Sequence, residues 1–194
     1  QTLVKENKKL QKKVEELTAE NSRLTQGLTE LERLQELYQL DQSYSEYDKV
    51  AANVISKDAG NWFSNFTIDK GTEDGIQKDC NVIAGSGLVG IVTEVGKNWA
   101  TVRSIIDDTS NVSAIDHEHS DRCIVAGDLR LIDEGKLQFI QLKDEDNKIQ
   151  EGEKIVTSDV SDKFLKGILI GYVSDIKEDP NNLTKTGTLT PAVD

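Results

Sequence analysis

Two histidines, His117 and His119, stand in the run IDHEHSDR. On a strand, His-x-His sends both imidazoles to one face, where a metal could be held with Asp116 or Asp121 beside them. The run is acidic and turn-like, and no third ligand follows at a recognisable spacing, so solvated surface histidines are the expectation. Serine chemistry is the next candidate. His117 or His119, then Asp128, then Ser158 follow the chain order of a chymotrypsin-like triad. Yet Ile155-Val156-Thr157 before Ser158 is no glycine-rich nucleophile loop, and Gly85-Ser86-Gly87 is not the Gly-x-Ser-x-Gly elbow. The run GSGLVG lacks the Lys-Ser/Thr of a phosphate loop and a helix to follow it. No catalytic residue, metal ligand or cofactor is therefore assigned, and the chain is read as no enzyme, with a degenerate hydrolase as the alternative.

The residues that repeat with a purpose are leucines. Leu3, Leu10, Leu17, Leu24 and Leu31 return every seventh position, and Tyr38 is next in step. With these at heptad position d, position a holds Asn7, Val14, Asn21, Leu28 and Gln35. Five unbroken heptads read as a coiled coil, and Asn at two a positions favours two parallel strands. The expected dimer seam is Leu3, Asn7, Leu10, Val14, Leu17, Asn21, Leu24, Leu28 and Leu31. Lys8, Lys9, Lys12 and Lys13 lie off the seam and read as a solvated face, able to meet anionic lipid heads if a membrane lies just upstream.

The 194 residues carry a net charge of −12, of which the first 41 contribute only −1. An acidic remainder repels phosphate backbones and argues against nucleic acid as a partner. No apolar run approaches the ~20 residues of a membrane helix. Any targeting segment is expected before Gln1. Cys80 and Cys123 sit among strand-like residues and read as buried free thiols.

Residues 41–49 have no period and read as a linker. After them come short β-branched segments bounded by Gly, Asn and Asp clusters. The predicted strands are 50–56, 65–69, 81–84, 88–94, 100–106, 111–115, 122–127, 136–141, 154–157, 169–176 and 186–190. Two stretches, Gly75–Val95 and Gly152–Ile176, look alike: a glycine, an apolar strand, a polar turn, then Gly-apolar-apolar-Gly or its near copy. Gly87 and Gly90 in the first match Gly167 and Gly171 in the second, and such glycines mark bulges or barrel corners. The fold class is therefore mainly β with a long N-terminal α-helix: a parallel dimeric coiled coil followed by two small β-barrel subdomains. The boundaries read 1–43 for helix and linker, 44–126 for the first barrel and 127–194 for the second, with C-terminal strands able to return to the first.

Taken in order, the leucine-rich coil, VAANVI, IDKGTEDGIQKDCNVI, SGLVGIVTEV and GEKIVTSDVSDKFLKGILIGYV resemble the extracytoplasmic part of the MreC family of bacterial rod-shape proteins. The resemblance covers essentially the whole chain. It departs at Thr157-Ser158-Asp159, where the family has a Thr-Ser-Gly turn, and at Phe164-Leu165, where it has Phe-Pro. The resemblance implies a scaffold of the cell-wall elongation machinery, anchored by a membrane helix upstream and placed outside the cytoplasm. It also implies penicillin-binding proteins as partners, with MreD, RodA and, indirectly, MreB in the same complex, and no small-molecule substrate. The alternative from another class is a generic coiled-coil adhesin or assembly factor. Interface cores favour aromatics. Two aromatic groups stand out: Tyr38, Tyr44 and Tyr47 near the end of the helix, and Trp62, Phe63 and Phe66. The second group is the candidate partner contact, against the plainer reading that both are internal packing.

Overall fold

The computed structural model describes residues 2–57, 60 and 64–193. It divides into two units, residues 1–45 and 46–194.

The first unit is one helix, α1, Thr2–Ser43. No proline interrupts it, and Gly27 is its one poor helix former. At 1.5 Å per residue it is roughly 63 Å long. It runs three residues, Asp41 to Ser43, into the expected linker 41–49, because DQS holds no helix breaker. Side-chain bonds one turn back, Thr18 to the Val14 carbonyl and Ser43 to the Gln39 carbonyl, and pairs such as Arg33–Glu30 decorate its surface.

Among the described residues the second unit contains eleven strands, all paired antiparallel. They are β1 (Val54–Lys57), β2 (Asn65–Ile68), β3 (Asn81–Ala84), β4 (Gly87–Val95), β5 (Ala100–Ser104), β6 (Asn111–Asp116), β7 (Arg122–Ala126), β8 (Leu137–Leu142), β9 (Lys154–Thr157), β10 (Leu169–Glu178) and β11 (Lys185–Pro191). Each overlaps a segment picked out by β-branched residues between turn signals. The first five form a sheet in the order β1-β2-β5-β4-β3, and the other six close into a barrel, β10-β11-β8-β7-β6-β9.

One six-stranded barrel and one five-stranded sheet thus stand where the sequence suggests two barrels. The sequence reading also sets β6 and β7 with the first subdomain. Their hydrogen bonds run instead to β9 and β8, so strand pairing places both in the barrel. Local patterning marks a strand but carries no information about its partner.

The barrel interior follows from period-two alternation. Val112, Ala114, Cys123, Val125, Leu137, Phe139 and Leu189 are buried while their neighbours along each strand are more exposed; Ile155 and Ile170 are fully buried as well. Phe139 has room because Gly187 lies opposite it; a Cβ at Gly187 would strike the ring. A smaller core in the sheet joins Ile68, Val92, Ala100 and Val102, with Phe66, Ile76, Cys80, Val82 and Val95 packed around it.

The two look-alike stretches fold alike. In β4, Val89 is an extra residue against β3, and Gly90 follows it; in β10, Ile170 is extra against β9, and Gly171 follows. Three residues later each strand bulges again, at Thr93 against β5 and at Ser174 against β11. Both hydroxyls donate across the strand pair, Thr93 to the Thr101 carbonyl and Ser174 to the Thr188 carbonyl. Paired bulges bend a strand sharply.

Candidate functional site

Along α1 every seam residue from Leu3 to Leu31 is exposed, Asn7 and Asn21 included. The exposed fraction is 54% at Leu17 and Leu24 and 64% at Leu10. Leu34 and Leu37, also exposed, lie off this row and broaden the apolar face toward the end of the helix. An apolar stripe this long, in water along a helix more than 40 residues long, is a surface built to be covered.

The four glycines differ in what they do. At Gly90 a Cβ would fall under 3.0 Å from the Arg103 carbonyl, and at Gly171 from the Thr190 carbonyl. At Gly87 it would meet the Leu169 carbonyl and Ala192, so this glycine lets the sheet approach the barrel closely. Gly167 lies outside any strand, has open space around its α-carbon, and adopts a φ of 81°. It is there for its left-handed backbone rather than for lack of room.

Gly167 ends the segment 158–167, which is tied down from three sides. The Thr157 hydroxyl donates to the Leu165 carbonyl and accepts the Ile168 amide. Asn81 on β3 donates to the Lys163 carbonyl at 2.8 Å and accepts the Leu165 amide at 2.8 Å. Tyr47 donates its hydroxyl to the Lys166 carbonyl. These bonds hold Val160 and Leu165 exposed at 57% and 44%. Both residues enter the sequence reading only as parts of a family motif, which does not show that they are exposed.

Of the aromatic candidates, Trp62 and Phe63 lie outside the described residues. Phe66, on β2, packs half-buried against the sheet core. The strand beside it, β1, is a sheet edge whose four residues are all exposed, Val54 and Ile55 among them.

The hydrolase residues do not form a relay. Ser158 is buried, its hydroxyl has no hydrogen-bond partner, and the Asp128 carboxylate is taken by Arg130. His117 is exposed. His119 is drawn instead to Asp116, with Nδ1 at 3.0 Å from Oδ2, and to Glu153, at 3.6 Å from Oε2. Glu153 lies 34 positions beyond His119 in sequence, and only the β6–β9 pairing brings it here. Burial, with the Asp116 charge beside it, holds the Glu153 carboxyl above the ordinary range.

A second buried carboxylate, Asp144, accepts Lys185 Nζ at 2.7 Å and the amides of Lys148 and Ile149. Burial pushes its carboxyl up, but Lys185 and the two amides outweigh burial and leave it below the ordinary range. Cys80 and Cys123 are free thiols, and burial pushes Cys123 up to about 12.

Comparison with known proteins gives this architecture a family. The family described as "Rod shape-determining protein MreC, barrel core" matches residues 54–194, from β1 to the end of the chain. The cell shape-determining protein MreC of Listeria monocytogenes is 33% identical over 195 residues, covering 97% of this chain and 64% of that protein. Its counterpart in Bacillus subtilis is 28% identical over 198 residues, 98% of this chain and 68% of that protein. The chain thus spans about two thirds of the length of these relatives. The solved Listeria monocytogenes MreC structure superposes with a TM-score of 0.68 at 33% identity, over 97% of this chain and 90% of that one. MreC from Helicobacter pylori, solved in complex with the penicillin-binding protein PBP2, shares the fold at a TM-score of 0.57 and 14% identity, over 71% of this chain and 83% of that one. The chain belongs to the MreC family of rod shape-determining proteins.

Proposed function

We propose that this chain is a non-enzymatic scaffold of the cell-wall elongation machinery, which pairs through a parallel coiled coil and presents its β unit to penicillin-binding proteins outside the membrane. The observation that carries the reading is the uncovered a/d stripe of α1, with two Asn at a positions. A buried Asn is best satisfied by its own mate across a two-fold axis, which selects two parallel strands. Parallel pairing would bring two β units into one assembly, which would then offer two copies of each contact surface. The Helicobacter pylori complex with PBP2 supports a penicillin-binding protein as partner. MreD, RodA and, through them, MreB enter by family membership alone. Among the described residues no helix is long and apolar enough to cross a membrane. The proposed anchor lies upstream of Gln1.

Two measurements test this. Sedimentation of the chain at tens of micromolar should give a dimer, and replacing Leu10 and Leu17 by Asp should give a folded monomer. A monomeric unaltered chain removes the coiled-coil reading. Capture from membrane extracts, developed with fluorescent penicillin, should retain labelled proteins; retention of none returns the chain to the adhesin class. Trp62→Ala, silent in melting but weaker in capture, would place the contact at residues 62–66. A large stability loss would make that stretch core, and the exposed residues of 158–167 and β1 become the surface to mutate next.

A further inference from the structure

We propose that Asp116, His119 and Glu153 form a binding site for one borderline divalent cation, zinc(II) in the first instance, that clamps the β6–β7 turn to the start of β9. One ligand atom from each of the three lies within 4.8 Å of the other two. Zinc bonds of about 2.1 Å at a tetrahedral angle separate neighbouring ligand atoms by about 3.4 Å. The distances from His119 Nδ1, 3.0 Å to Asp116 and 3.6 Å to Glu153, bracket that edge.

Two further observations separate this cluster from an ordinary acidic turn. The Asp116 side chain is fully buried (0% exposed), and its Oδ1 has no hydrogen-bond partner, although Oδ2 accepts the amides of Glu118 and His119. Glu153 Oε2 is likewise buried without a hydrogen-bond partner. Two carboxylates with unsatisfied oxygens, side by side, repel each other and cost several kcal/mol unless a proton or a metal cation stands between them. The imidazole is 28% exposed, which leaves the ion a path in and a position for water.

The scaffold around the three is firm. Asp116 ends β6 and pairs with Ile155; the His117 amide donates to the Lys154 carbonyl, and the Ser120 amide to the Asp116 carbonyl. Two carboxylates and one imidazole suit zinc or manganese better than magnesium, which keeps its waters and prefers oxygen alone.

The test is calorimetric titration of the chelator-treated chain with zinc chloride alone. One ion per chain is expected at micromolar affinity or tighter, with a melting rise of roughly 5–10 °C at zinc a hundredfold above Kd. His119→Ala and Glu153→Gln should each weaken binding at least about 100-fold, in line with lost metal ligands. His117→Ala, two residues away on the exposed side, should bind as the unaltered chain does. Binding to both His119→Ala and Glu153→Gln at unchanged affinity, loss of binding in His117→Ala, displacement by equimolar magnesium, or no heat up to millimolar zinc each overturns the assignment. Circular dichroism of the two variants, unchanged without zinc, separates ligand loss from unfolding.

Discussion

Gly90→Ala isolates what the first bulge glycine contributes. The added methyl group would fall under 3.0 Å from both the carbonyl oxygen and carbon of Arg103 and 3.0 Å from a Val102 methyl. Backbone cannot rotate aside as a side chain can, and β4 is hydrogen-bonded on both edges, to β3 and β5. Overpacking of this kind costs about 1–3 kcal/mol. Alanine returns about 0.5–1 kcal/mol through lower unfolded-state entropy, because no positive φ is required here. The net loss is then about 1–2 kcal/mol, or roughly 3–8 °C in a unit of this size. Gly171→Ala, at the matching place in β10, should lose a similar amount. Gly27→Ala is the control of opposite sign: nothing lies within 4 Å, and helix propensity improves by about 1 kcal/mol. Urea melts followed by tryptophan fluorescence read the β unit, and ellipticity at 222 nm reads the helix. If Gly90→Ala and Gly171→Ala both keep the unaltered midpoint, the close approach of strands at the bulges is wrong.

Other expected outcomes follow from the same contacts. Lys185→Met removes the ammonium that pairs with the buried Asp144 carboxylate and should cost about 3–5 kcal/mol in urea melts. Because the folded Asp144 value is lowered, its contribution is present above the free value of about 3.9 and fades as pH falls through the folded value. Stability measured from pH 5 down to 2 should therefore show a loss that the variant lacks; equal acid slopes would remove the ion pair from the account. Asn81→Ala deletes two bonds to the 158–167 segment, so amide exchange at Leu165 should speed up while the barrel strands keep their protection. At pH 8 Ellman's reagent should leave Cys123 unmodified until the chain unfolds, since its thiol is buried and held near 12.

The sequence alone determined whatever is written in local period and local chemistry. Heptad leucines marked α1, because a helix repeats its face every 3.6 residues whatever surrounds it. Short β-branched runs between Gly, Asn and Asp clusters marked the eleven strands of the described residues, and the recurring glycines marked the first bulge of β4 and of β10. Family membership was legible too, since those motifs keep their order along the chain. Only the tertiary structure decided which strands pair. That choice put β6 and β7 into the barrel, left the first five strands as a sheet, and packed Phe66 half-buried against the sheet core. It also made the Asp116–His119–Glu153 cluster, whose third member is 34 positions from the second. Strand pairing is settled by summed burial and closure of the whole barrel, which no single segment encodes. A site shared by two distant strands therefore becomes visible only once the chain has folded.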